Sequence, residues 1–118
     1  MVVPEPIPIH HQRVLKKLIR RAFISHGITI PTARVDIYSG WSPAPPYEYY
    51  YGWVDKWTSE EEANRIAGAV KKALAPFEPT VNIVYSNVTK KYLVYFNIPS
   101  IKVREYIRQQ GAIKSLMF

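Results

Sequence analysis

From Gln12 to Ser25 the apolar residues Val14, Leu15, Leu18, Ile19, Ala22 and Phe23 recur every three or four positions, with Arg13, Lys16, Lys17, Arg20 and Arg21 largely opposite them. This spacing predicts an amphipathic helix, and Gly27 just beyond it predicts a left-handed cap. Ahead of it, Pro4, Pro6 and Pro8 alternate along residues 1–9, which fixes φ at every second position and predicts an extended, peripheral arm. The period then changes to two. Ala33, Val35 and Ile37 alternate with Arg34, Asp36 and Tyr38, the pattern of a half-buried strand. Pro43, Pro45 and Pro46 make Ser39 to Pro46 a loop. Tyr47 to Trp57 reads as a second strand, with Tyr47, Tyr49, Tyr51 and Trp53 on one face and Tyr50 and Val54 on the other.

The run Thr58-Ser-Glu-Glu-Glu62 holds two overlapping capping boxes and places acids at the positive end of a helix dipole. The helix it opens buries Ala63, Ile66, Ala67, Val70, Ala73, Leu74 and Phe77 and is limited by Pro76. Val81, Ile83 and Tyr85 then mark a third strand, Ser86 to Lys91 a turn, and Tyr92 to Ile98 a fourth strand. A short last helix starts at Pro99-Ser100 and closes at Gly111. The expected fold class is α+β: a four-stranded antiparallel sheet with helices on one face, in the order α-β-β-α-β-β-α. Residues 1–9 form the arm and residues 10–118 a single domain, the size expected for 118 residues.

Composition changes this picture in four ways. There is no cysteine, which excludes disulfides, thiolate metal sites and a cysteine nucleophile. No signal-peptide pattern or apolar run of membrane-spanning length is present, so a cytoplasmic protein without a membrane partner is expected. A chain free of cysteine and rich in tyrosine, valine and proline also suits a thermophile or an archaeal virus. Finally, the net charge is +7, distributed as +5 over residues 1–35, −3 over residues 36–79 and +5 over residues 80–118. Two basic ends around an acidic middle create a one-sided field if the ends meet, and such a field attracts polyanions.

The chemistry-bearing motifs are few. Gly-rich phosphate loops, Gly-x-Ser-x-Gly elbows and His-Glu-x-x-His helices are absent, which removes the hydrolase classes built on them. His10 and His11 are adjacent and point in different directions, while His26 lies at the negative end of the first helix. Asp36, Glu48 and Asp55 are the acids on strands or their ends, and they would hold magnesium if they converged. The alternative for them is charge pairing with Arg34 and Lys56. Sixteen aromatics, nine of them tyrosine, are the outstanding feature, centred on Tyr47 to Trp53.

Trp57 to Leu74, Val81 to Tyr85, Lys91 to Ile98 and Val103 to Ile107 resemble the helix, hairpin and final helix of a single-copy LAGLIDADG homing-endonuclease domain. In that family the first helix ends in a signature whose acid, just before the closing glycine, holds the catalytic metal. Here His26 takes the place of that acid before Gly27, and Arg20 and Arg21 take the places of small helix-packing residues. The resemblance therefore implies a catalytically degenerate domain that binds DNA through its sheet without cleaving it.

These readings converge on a nucleic-acid-binding protein, for DNA rather than RNA and duplex rather than single strand, with no cofactor, catalytic residue or bound metal. Arg34, Lys56, Lys90, Lys91, Lys102 and Arg104 are expected to neutralise phosphates. Tyr49, Tyr51 and Trp53 would touch bases or sugars, and the basic helix carrying Arg13, Lys16, Lys17, Arg20 and Arg21 would extend the contact. A homodimer would let so small a surface read a pseudo-palindrome. Two alternatives belong to other classes: a protein-interaction module using the proline loop, Trp41 and the tyrosine strand, and a magnesium-dependent nuclease using Asp36, Glu48 and Asp55.

Overall fold

The computed structural model describes residues 5–117, with side chains up to residue 111. The first helix, α1, runs Ile9–Ser25 and buries Leu15, Ile19, Ala22 and Phe23, the stripe expected from its spacing. Gly27 follows at φ 68°, and Ile28 N–H bonds back to the Phe23 carbonyl at 2.8 Å. This is the left-handed stop for which glycine is suited. His26 adds to the same cap, since its Nδ1 donates to the Ala22 carbonyl at 2.7 Å. The His26 side chain thus satisfies a helix terminus.

The described part of the arm, from Glu5 onward, is not peripheral but tied to the sheet and the core. Glu5–Pro6 forms a two-residue strand, β1, paired antiparallel with β2, Val35–Trp41, and Ile7 is buried in the core. Proline lacks an N–H donor, so an edge strand is where a sheet accepts it. The sheet therefore has five strands rather than four, and the order is β-α-β-β-α-β-β-α. Its other members are β3, Glu48–Thr58, β4, Thr80–Tyr85, and β5, Tyr92–Pro99, giving the spatial order β1-β2-β3-β5-β4, antiparallel throughout.

Helix α2, Glu60–Ala73, starts as its capping residues require: the Ser59 side chain accepts from Glu62 N–H at 3.2 Å. Glu62 turns outward, accepting from the Thr58 hydroxyl at 2.6 Å and from Lys56 Nζ at 2.8 Å, and these donors hold its carboxyl below the usual carboxylate range. The last helix, α3, runs Ser100–Met117 and passes through Gly111 instead of closing there. A glycine inside a helix costs only about 1 kcal/mol relative to alanine, too little to force a stop.

Alternation along the strands sorts the sheet into two faces. Val35, Ile37, Tyr50, Val54, Phe96 and Ile98 are buried with the helices. At Gly52 the backbone passes so close to its neighbours that a Cβ would meet the Asp36 carbonyl and approach Phe96 Cζ to 2.8 Å. All three helices cover this face, and the shortest dimension of the molecule is 21 Å, as expected for one helical layer on one sheet. Among the described residues, no helix covers the opposite face of the sheet.

Candidate nucleic-acid interface

The uncovered face is aromatic. The register places Tyr38, Tyr51, Asn97 and Thr80 on one rung, Asp36, Trp53, Tyr95 and Asn82 on the next, and Gly40, Tyr49 and Pro99 on a third. Tyr49, Tyr51 and Trp53 thus share a face, as the period-two reading requires, and Tyr38 and Tyr95 join them from neighbouring strands. The Tyr38 and Trp53 rings stack with centroids 5.5 Å apart, and Tyr51 leans on Tyr38 at 6.3 Å. A Cβ at position 40 would lie 2.9 Å from the Tyr51 ring, so Gly40 makes room for that ring. Trp41, 69% exposed, stands at the border, where Trp41, Tyr49 and Tyr51 surround Thr80 and Asn97 in a shallow depression.

The phosphate-binding cations expected for this face are not on it. Strands β2 to β5 carry a single cation, Lys56, and it is ion-paired with Glu62 at 2.8 Å. It reaches that helix because β3 bulges: Val54 faces Val94 and Thr58 faces Tyr92, so four steps along β3 span two along β5. Arg34 sits at the same end and donates to the Asp55 main-chain oxygen at 3.4 Å. Lys90 and Lys91 lie in the adjacent β4–β5 turn, where Ser86 Oγ accepts from Val88 and Thr89 N–H and Lys90 is left-handed at φ 58°. Arg34, Lys56, Lys90 and Lys91 therefore gather at one end of the sheet.

Lys102 and Arg104 lie at the other end and are paired with acids. Arg104 Nη2 donates to Glu48 Oε1 at 2.9 Å, and Lys102 Nζ is 3.9 Å from Glu78. Glu48 is thereby drawn towards α3, while Asp36 occupies the uncovered face, so the three carboxylates weighed for magnesium are not brought together. Among the described residues, no group of three or more His, Asp or Glu side chains is placed to hold a metal ion. Beside the Glu48–Arg104 pair, His11 Nδ1 lies 2.7 Å from the Tyr50 hydroxyl, a contact adjacent histidines gave no sign of in the sequence. Burial, the Arg104 guanidinium and His10 lower the His11 pKa; burial chiefly raises that of Tyr50.

The densest group of cations without a salt bridge, among the described residues, is on α1. Arg13, Lys16, Lys17, Arg20 and Arg21 span an arc of about 140° at 100° per residue, over an axial length of about 12 Å. The helix contains no acid, and none of these five forms a salt bridge among the described residues. The stripe is self-repelling, with like charges four apart at 13/17, 16/20 and 17/21 and three apart at 13/16 and 17/20. Because α1 lies in the helical layer, the stripe faces away from the aromatic sheet, and one rigid ligand cannot cover both. No described helix is long and apolar enough to cross a membrane. Comparison with protein-family models, with curated proteins and with solved structures finds no match for this chain.

Proposed function

We propose that the protein binds nucleic acid, with the phosphate backbone of duplex DNA held along the outer face of α1. The observation that carries this reading is the acid-free stripe of five unpaired cations on one helix. Each like-charge pair three or four residues apart costs an isolated helix roughly 0.2–0.5 kcal/mol, so the stripe opposes folding and gains only when a polyanion neutralises it. A basic helix also suits an anionic membrane surface, but such binding inserts an apolar face, and here Leu15, Ile19, Ala22 and Phe23 are spent on the core. On this reading the α1 cations are the main phosphate contacts, and the end cluster of Arg34, Lys90 and Lys91 is secondary.

The test is a titration of labelled duplex DNA at several salt concentrations. A variant combining Arg13→Gln, Lys17→Gln and Arg21→Gln removes three contacts and should flatten the log-log salt slope by about 2.7. Removing Lys90 and Lys91 should flatten it less. Duplex binding with an unchanged slope in the α1 variant would refute the assignment, and no binding at low salt would refute the function.

A further inference from the structure

The uncovered sheet face has chemistry of a different kind from α1, and we infer that it is a platform for unpaired bases of a single-stranded nucleic acid, with Asn97 as a base-recognising residue in the depression that it lines. This deepens the nucleic-acid reading and rests on it. Phosphates are poorly served here: strands β2 to β5 offer no unpaired cation, and Asp36 stands on the central rungs beside Trp53. Bases are well served. Tyr38, Tyr49, Tyr51 and Trp53 are half-buried and Tyr95 exposed on this face, and a base presents a π face to such rings whatever its sequence.

Spacing selects the strand form. Same-face residues of one strand recur about every 6.7 Å, so Tyr49, Tyr51 and Trp53 offer steps at about twice the 3.4 Å rise per base of a duplex strand. Such steps fit an extended single strand with splayed bases and do not fit a stacked helix, whose base faces are covered by each other. The depression lined by Trp41, Tyr49 and Tyr51 adds one amide and one hydroxyl, Asn97 and Thr80, and no charge. A side-chain amide supplies one acceptor and two donors in a plane, the complement of a base edge. Lys91 and Arg34, at one end of the sheet, are placed to meet the backbone as the strand leaves the face.

The experiment compares oligodeoxyadenylate, oligodeoxythymidylate and a mixed-sequence duplex of equal length, read by anisotropy of the labelled strand and by tryptophan fluorescence. Wild-type protein should bind the single strands with quenching of its tryptophans. Tyr51→Ala and Trp53→Ala should each weaken single-strand binding roughly five- to 150-fold, the effect of losing one base stack, while leaving duplex binding unchanged. Asn97→Ala should narrow the difference between adenylate and thymidylate strands. Circular dichroism identifies any variant that fails to fold, and Tyr49→Ala then takes its place. Duplex binding with no single-strand binding, or single-strand binding that survives both aromatic substitutions, overturns the inference and leaves the α1 reading intact. Loss of all nucleic-acid binding in the wild type overturns both.

Discussion

The α1 stripe makes one substitution informative in two directions. Lys17 is exposed near the middle of the helix, with Arg13 four residues before it, Arg21 four after and Arg20 three after. Each of these contacts is repulsive by roughly 0.2–0.5 kcal/mol, and Lys17→Glu turns each into an attraction of similar size. The three reversals together stabilise the fold by about 1–3 kcal/mol at low ionic strength. The helix dipole adds little, because its effect is confined to the first and last turns. For a domain of this length the melting temperature should rise by about 4 °C per kcal/mol. At 1 M salt the screening length falls to about 3 Å, shorter than the 5–6 Å between such side chains, so most of the gain should vanish. The same substitution removes one phosphate contact and adds a repelling charge, so duplex affinity should fall and the salt slope flatten by about 1–2. Thermal unfolding by circular dichroism at low and high salt, with anisotropy on the same samples, measures both. A variant no more stable than wild type at low salt, or equally stabilised at high salt, would refute the electrostatic argument. A stabilised variant with undiminished duplex affinity would remove α1 from the interface.

Four other outcomes are expected. Ser59→Ala leaves Glu62 N–H without its cap and should cost about 1 kcal/mol in denaturant unfolding. Gly52→Ala sets a methyl group against the Asp36 carbonyl and the Phe96 ring, and should destabilise by about 3 kcal/mol or prevent folding, visible as lost soluble yield. Tyr50→Phe removes the hydroxyl partner of His11 and should cost about 1 kcal/mol, with no change in duplex affinity. His11, whose pKa in the fold lies below 6.5, binds a proton more readily when unfolded. Its contribution is therefore complete above that value and is lost as pH falls through the folded pKa; His11→Gln should flatten the slope of stability against pH in that window, measured by urea unfolding at stepped pH.

Much of the fold was legible because burial imposes periodicity. The α1 stripe, the alternation of β3 and the Ser59 cap each follow from a local rule that the core then enforces. Where the rule was not local, the sequence was silent. Nothing in Val54 to Thr58 announces a bulge, since no glycine or proline marks it, yet the bulge carries Lys56 to Glu62. Among the described residues of the Pro-rich arm one apolar side chain, Ile7, is buried, too little periodicity to indicate an edge strand. Pairing of Arg104 with Glu48 joins positions 56 residues apart and depends on how α3 crosses the end of the sheet.

That last class of contact also decides how the charge is distributed over the surface. In the sequence the two basic ends are equivalent, at +5 each. In the fold they are not. The acidic middle segment supplies Glu48 and Glu78, and both are used on the C-terminal block, against Arg104 and Lys102. Its helix-capping Glu62 goes to Lys56, within the same segment. Among the described residues no acid pairs with the α1 cations, so the N-terminal block keeps its charge there while the C-terminal block is partly neutralised. Its remaining turn cations, Lys90 and Lys91, stand at the far end of the sheet. On the proposed reading, a polyanion approaching at a distance is steered to the helical side, and the aromatic face offers partners to a ligand's bases and not to its phosphates.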